Sequence, residues 1–139
     1  MKKINWGIIG CGDVTEVKSG PAFNKVSNSS LVAVMRRNAA KAEDYAKRHA
    51  VPRWYSNAEQ LINDPEINAV YIATPPSSHE EYAIAAMHAG KHVYVEKPMA
   101  TSYAGALKIA AAAKSANSKI VVAHYRRQQP FFLKIKQLL

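Results

Sequence analysis

Short apolar runs recur along the chain and alternate with longer amphipathic stretches. The runs are rich in Val, Ile and Tyr and cover residues 4–9, 31–35, 69–73, 92–95 and 120–123, with a weaker run at 53–55. Runs of this length are typical of parallel strands buried on both faces. Because helical stretches separate them, they predict βαβ units with right-handed crossovers. We therefore predict an α/β fold with three αβα layers, in which a doubly wound parallel sheet of strand order 3-2-1-4-5-6 carries helices on both faces.

Two of the predicted helices have recognisable starts. Ser56 with Glu59, and Ser77 with Glu80, match the capping box in which a hydroxyl and a carboxylate satisfy the first free N–H groups. Gly90 is placed to end the second of these helices in the left-handed conformation.

Two other stretches between strands predict helices of different kinds. The alanine-rich stretch 106–116 predicts a helix that packs closely on the sheet, because its side chains are small. Gly20-Pro21 falls inside the first helix, and proline removes a backbone donor. The first helix is therefore expected to be short, kinked or delayed.

Composition limits the function classes. A chain of 139 residues suits one domain, its apolar runs are too short to span a membrane, and its N-terminus lacks a signal-peptide core. One cysteine excludes an internal disulfide and predicts a reducing, cytoplasmic setting. The net charge of +9 fits either nucleic acid or a small anionic ligand. Basic residues are spread along the helices without aromatic interleaving, so we expect the small ligand, no nucleic acid, no membrane and no metal site.

A glycine-bearing loop follows the first strand and opens a helical segment, which is the context of a dinucleotide fingerprint. The first glycine permits a tight turn, the second lets the backbone approach a pyrophosphate, and the helix N-terminus offers free N–H groups. Thr15 occupies the third glycine position, so the match is partial, and an ordinary strand–helix turn is the alternative. The residues predicted to bind the dinucleotide here are Gly10, Cys11, Gly12, Asp13 and Val14.

Two arginines, Arg36 and Arg37, follow the second strand, where NAD-binding domains normally carry an acidic residue for the ribose. The nearest acid, Glu43, lies well inside the next helix. Cations are unfavourable just before a helix start, and a bound phosphate would remove that conflict because arginine binds phosphate with a two-pronged fork. The pattern favours NADP over NAD, and two solvated arginines are the alternative.

The most informative stretch is a strand that ends in a carboxylate, an ammonium and a proline, Val93-Tyr94-Val95-Glu96-Lys97-Pro98. A lysine there lies at the carboxyl edge of the sheet, where open α/β folds bind ligands. With the glycine loop, Thr74-Pro75-Pro76 and His79, the block A-G-K-H-V-x-x-E-K-P resembles the glucose-fructose oxidoreductase/inositol dehydrogenase (Gfo/Idh/MocA) family. The resemblance covers essentially the whole chain and implies a Rossmann-type dinucleotide-binding domain.

The resemblance also implies roles for individual residues. Lys97 would lie beside the nicotinamide and bind the reacting oxygen, and Glu96 would orient it, so these two are the predicted catalytic residues. A solvated surface lysine is the alternative for Lys97. The residues expected along the cofactor, besides Glu96 and Lys97, are Thr74, Pro75, His79 and Arg126. For His79, local capping of its helix is an equal alternative.

Family members have a second, α+β domain that closes the substrate site and supplies an acid/base pair. We expect residues 1–124 to form the dinucleotide-binding domain and residues 125–139 to begin the connection toward that absent domain. The expected activity is NAD(P)-dependent hydride transfer to or from a sugar or cyclic polyol, with this truncated chain inactive on its own. The apolar C-terminal helix would favour self-association. A non-enzymatic regulatory module that binds dinucleotide is the alternative, although Glu96-Lys97-Pro98 favours an enzyme.

Overall fold

The computed structural model describes residues 3–139. Six parallel strands within this range form one sheet. The strands lie in the order β3-β2-β1-β4-β5-β6, which confirms the predicted α/β class and doubly wound order. Three strands have the predicted bounds, β2 begins earlier, and β4 and β6 end one residue earlier. The strands are β1 (Ile4–Ile9), β2 (Ser29–Met35), β3 (Arg53–Tyr55), β4 (Ala69–Ile72), β5 (His92–Val95) and β6 (Ile120–Val122). Residues 1 and 2 of the predicted domain lie outside the described residues.

Helices connect the strands in every crossover. They are α1 (Gly20–Phe23), α2 (Ala39–Arg48), α3 (Ala58–Ile62), α4 (His79–His88) and α5 (Tyr103–Ser115). A last helix, α6 (Pro130–Leu138), follows β6. A π-helical turn, Thr15–Ser19, precedes α1, so the first helix is short and irregular at Gly20-Pro21. No helix within residues 3–139 is long and apolar enough to cross a membrane.

Both predicted capping boxes are wrong. Helix α3 is capped by Asn57, whose side chain accepts from the Glu59 N–H at 2.7 Å, because an Asx side chain directly before the helix takes the position that Ser56 was expected to fill. Helix α4 follows a 3₁₀ turn, Pro76–Ser78, and has no side-chain cap. Because the 3₁₀ turn begins at Pro76, Ser77 lies inside it rather than directly before a helix, and the Glu80 carboxylate pairs with Lys108 at 2.9 Å instead.

The two faces of the sheet are covered unequally. Helices α3, α4 and α5 bury one face through a continuous apolar cluster, whereas α1 and α2 cover only the part of the other face over β2, β1 and β4. On that second face Ile8 and Tyr71 are fully buried, Tyr94 is half-buried and Val121 is 58% exposed. The prediction of helices on both faces is therefore confirmed, with the part of one face over β5 and β6 left largely uncovered within the described residues.

An ion-pair network fixes the segment that follows the glycine loop to the end of α2. Arg48 holds both carboxylate oxygens of Glu16, at 2.8 and 2.7 Å, and His49 lies 2.6 Å from the same carboxylate. The Tyr45 hydroxyl donates to the Thr15 carbonyl at 2.9 Å in the same region. The bond to Arg48 lowers the pKa of Glu16 to about 2. The charged carboxylate therefore stabilises the fold.

We predict that this network makes the free energy of unfolding depend on pH in the acid range. Because the pKa of Glu16 is lower in the folded chain than its ordinary value of 4.5, its contribution is complete above about pH 4.5 and is lost as pH falls toward 2. We expect about 1 kcal/mol, since the pair is partly exposed and screened by solvent. Urea unfolding at pH 6 and at pH 3 measures how much the free energy of unfolding falls between the two. This fall should be smaller in Glu16→Gln, and also in Arg48→Met, than in the unsubstituted chain. Equal differences in all three chains would contradict the assignment.

Candidate functional site

A cleft of about 460 Å³ opens at the carboxyl edge of the sheet, between the loops that follow β1, β2 and β4. The chain leaves β1 toward β2 on one side, while β4 lies on the other, so this is the point where the strand order reverses. Open α/β sheets bind ligands at such switch points, and the volume is in the range of small-molecule sites. The predicted residues that line the cleft are Gly10, Cys11, Gly12, Arg36, Arg37, Thr74 and Pro75.

The two glycines of the β1 loop have different roles. Gly10 has φ +90°, and a Cβ there would meet the Thr74 backbone nitrogen at 2.9 Å, so both conformation and close packing require glycine. A Cβ at Gly12 would have only the Gly10 carbonyl within 4.0 Å. The space beside Gly12 is therefore open, as an approaching phosphate would need.

Thr15, at the third glycine position, closes the loop on itself. Its buried hydroxyl donates to the Gly12 carbonyl at 2.7 Å and accepts from the Gly12 N–H at 3.0 Å. Asp13 and Val14 are exposed at the start of the helical segment, where backbone N–H groups have no carbonyl acceptor in the preceding turn. Within residues 3–139 the N–H groups of Asp13 and Val14 have no loop acceptor, whereas that of Gly12 donates to the Thr15 hydroxyl.

Cys11 is 1% exposed, although its surroundings form part of the cleft wall. Burial raises the pKa of the Cys11 thiol to about 11, so the thiol is neutral at physiological pH. A neutral buried thiol is a small packing group rather than a reactive nucleophile.

The arginines after β2 lie on the cleft wall, Arg36 half-buried and Arg37 exposed. Asn38 follows them on the same wall, and its side chain caps α2. Glu43, the nearest acid along the chain, is turned to Lys47 at 2.9 Å on the surface of α2. This edge of the cleft therefore presents two cations close to a helix start.

The loop after β4 contributes residues that the sequence reasoning missed. Ser78 donates to the Thr74 hydroxyl at 2.8 Å, and Ser78 and Tyr82 both line the cleft. Their spacing of four residues puts them on one side of the turn that leads into α4, and this spacing was the available signal. Tyr82 and Arg37 also border an adjoining cleft of about 730 Å³ beside α3, which extends the concave surface away from the glycine loop.

His79 is completely buried behind the β4 loop rather than on the cleft wall. Its Nε2 lies 2.8 Å from the Thr74 carbonyl oxygen, and its Nδ1 lies 2.8 Å from the Pro98 carbonyl oxygen. The ring therefore joins the loop after β4 to the turn after β5. Direct contact of His79 with a cofactor stays a prediction.

Glu96, Lys97 and Pro98 form the turn after β5. One Glu96 carboxylate oxygen accepts from the Tyr71 hydroxyl at 2.6 Å, and the other accepts from the Lys97 backbone N–H at 3.2 Å. The Lys97 side chain is exposed, and the Lys97–Pro98 peptide is cis. Arg126 is also exposed, in a 3₁₀ turn after β6. Lys97 and Arg126 thus follow the next two strands along the same sheet edge, outside the walls of the 460 Å³ cleft.

Known proteins resemble this chain over nearly all of its length. The sequence pattern of the Gfo/Idh/MocA family, described as an oxidoreductase family with an NAD-binding Rossmann fold, matches residues 4–124. An oxidoreductase from Formosa agariphila is 61% identical over 137 residues, a match that covers 99% of this chain and 43% of that protein. An inositol 2-dehydrogenase from Acidothermus cellulolyticus is 33% identical over 136 residues, covering 97% of this chain and 40% of that protein.

A solved structure agrees with these matches. The NAD binding oxidoreductase from Klebsiella pneumoniae superposes with a TM-score of 0.86 at 32% identity, covering 98% of this chain and 38% of that one. The chain therefore spans about two fifths of the length of these relatives. By its fold, its cleft and the family pattern over residues 4–124, the chain belongs to the Gfo/Idh/MocA oxidoreductase family, of which it contains the NAD-binding Rossmann domain.

Proposed function

We propose that this chain is the cofactor-binding part of an oxidoreductase that prefers NADP and moves hydride to or from a sugar or cyclic polyol. The observation that carries the cofactor preference is the pair of arginines on the cleft wall after β2, with no carboxylate among the residues that line that cleft. A 2′-phosphate on the adenosine ribose would give the arginines a partner and would interact favourably with the nearby helix start.

The remaining cleft residues support the same orientation of the cofactor. The free amides of Asp13 and Val14 are suited to the pyrophosphate, since an exposed helix N-terminus binds anions. Thr74 and Pro75 would then lie along the ribose and nicotinamide half, toward β5. The nicotinamide would supply or accept the hydride, which is chemistry that protein side chains lack.

Lys97 is proposed to act on the substrate oxygen. When a carbonyl carbon gains hydride, the C=O electron pair moves to oxygen, and the Lys97 ammonium can stabilise that charge or donate a proton. In the reverse direction a neutral amine would accept the hydroxyl proton. Glu96 holds the Lys97 backbone N–H, which supports its proposed role in orienting the lysine.

Choice of substrate is proposed to depend on a further domain. Helix α6 contains no buried residue, and its apolar side chains, among them Phe131 and Leu138, are exposed in the described chain. We propose that residues 125–139 connect to an α+β domain of the kind found in the family, and that the 139-residue chain alone binds cofactor without turnover. Where that α+β domain is absent, the exposed apolar surface of α6 would favour self-association.

The arginine assignment predicts a difference between cofactors. In Arg36→Gln and in Arg37→Gln, the Kd for NADPH should rise about tenfold, or about 1.4 kcal/mol, while the Kd for NADH rises less than about threefold. Calorimetric titration of the chain with each cofactor measures both values. Arg127→Gln is the matched control, because it removes the same charge from an exposed position after β6.

Two results would count against the proposal. If the unsubstituted chain bound neither NADPH nor NADH, the cofactor-binding function itself would be wrong. If the arginine variants lost affinity for NADH as much as for NADPH, the arginines would not be reading the 2′-phosphate.

The Lys97 assignment predicts a change in the preference between oxidised and reduced cofactor. An ammonium beside the nicotinamide disfavours its cationic, oxidised form, so Lys97→Met should lower the ratio of the Kd for NADP⁺ to that for NADPH by about threefold to tenfold. Lys119→Met is the control, since Lys119 is exposed and precedes β6 at the opposite edge of the sheet. If the ratio were unchanged in Lys97→Met, Lys97 would not lie beside the nicotinamide.

A further inference from the structure

We propose that Tyr71 is a positioning residue for the site: its hydroxyl holds the Glu96 carboxylate, and through it the turn that presents Lys97. The part of this proposal that concerns hydride transfer rests on the proposed function. The hydrogen bond between Tyr71 and Glu96, and its effect on the position of the turn, are independent of that function. Tyr71 lies inside β4, and its interaction with Glu96 joins β4 to the residue that directly follows β5.

Sheet register brings the two groups together. Tyr71 pairs with Tyr94 across β4 and β5, and side chains two positions apart on a strand point to the same face. Glu96, two positions beyond Tyr94, therefore emerges on the face of Tyr71. The O–O distance of 2.6 Å is that of a hydroxyl bound to a charged carboxylate, which is among the stronger hydrogen bonds in proteins.

The Tyr71 ring is held in place independently of this bond. It is fully buried, stacks on Tyr94 with ring centroids 5.1 Å apart, and meets Phe23 edge-on at 5.6 Å. Burial, and then the bond to Glu96, raises the pKa of the Tyr71 hydroxyl, so the group remains a donor throughout the physiological pH range. A donor fixed by packing can set the orientation of the carboxylate that it binds.

Hydrogen bonds to its own backbone groups hold the turn on its other sides. The Glu96 N–H donates to the Ile72 carbonyl at 2.9 Å, the second Glu96 oxygen accepts from Lys97, and His79 contacts the Pro98 carbonyl at 2.8 Å. The backbone on each side of Lys97 is thus fixed from within the fold, while its side chain is exposed to reach a ligand. Loss of the Tyr71 hydroxyl would release the carboxylate end of this arrangement without removing any apolar packing.

A double-mutant cycle on unfolding tests the coupling. Tyr71→Phe should raise the unfolding equilibrium constant about tenfold when Glu96 is present, and by no more than about twofold in the Glu96→Met chain, which keeps the side-chain length but has no carboxylate. Tyr94→Phe is the matched control, because its ring stacks on Tyr71 while no hydrogen bond of its hydroxyl is found within residues 3–139. It should show no coupling to Glu96→Met. Equal effects of Tyr71→Phe in both backgrounds would overturn the proposal.

Ligand binding separates a positioning role from general loss of stability. Tyr71→Phe should raise the Kd for NADPH about threefold to tenfold but leave the Kd for 2′-phospho-ADP-ribose, which lacks the nicotinamide, within about twofold. Tyr94→Phe should change neither. Equal weakening of both ligands, or of neither, would show that Tyr71 does not act at the Lys97 turn. If the unsubstituted chain bound no dinucleotide, the proposed function would fail, and the unfolding cycle would still decide whether Tyr71 holds Glu96.

If Tyr71→Phe fails to fold, the hydrogen bond can be tested by proton NMR of the unsubstituted chain. The Tyr71 hydroxyl proton, bound to a carboxylate and buried, should give a downfield proton NMR resonance protected from exchange. That resonance should remain in Tyr94→Phe and disappear in Glu96→Met. Its persistence in Glu96→Met would contradict the bond.

Discussion

The constraint on which this molecule depends is that all six strands run in one direction. Every strand then ends at the same edge of the sheet, so all loops that follow a strand open on one side. The faces must be buried, because parallel strands are apolar on both sides, and the edge is the remaining place for a polar site. Where the order reverses between β1 and β4, the loops diverge and leave the cleft.

The loops at this edge of the sheet are held by hydrogen bonds within and between them. Main-chain bonds from Gly10 and Cys11 to the Met35 carbonyl tie the β1 loop to β2, and the Thr15 hydroxyl closes the loop internally. His79 supports the β4 and β5 loops together. The arginine side chains and the Lys97 ammonium are then left free to interact, which is the arrangement that lowers the cost of ordering on binding.

Much of this could be predicted from the sequence, for a physical reason. Buried parallel strands are continuous apolar runs, so β1 and β5 were predicted to the residue, and residues such as Gly10 and Arg36 follow a strand directly and must lie at its carboxyl end. The cap predictions were wrong because Asn57 takes the capping position before α3, and because a 3₁₀ turn that begins at Pro76 contains Ser77.

Contacts that depend on tertiary geometry could not be predicted in this way. Tyr82 lies four residues after Ser78 and so on the same side, but this spacing indicates a cleft residue only once the loop after β4 is known to line the cleft. Tyr71 and Glu96 are 25 residues apart and meet only because β4 and β5 are neighbours in a particular register. The burial of His79 depends in the same way on the turn after β5, whose Pro98 carbonyl oxygen lies 2.8 Å from its ring, and no local pattern indicates that contact.

The lengths of the two outer strands have a consequence for how this sheet behaves among other chains. Strands β3 and β6 are three residues long, so the outward row of unpaired main-chain donors and acceptors at each border is short. A strand from another molecule could form few ladder hydrogen bonds with either border, and Arg53 adds a charge to one of them. The sheet is thereby protected against edge-to-edge aggregation, even though one of its faces is largely uncovered over β5 and β6 in residues 3–139.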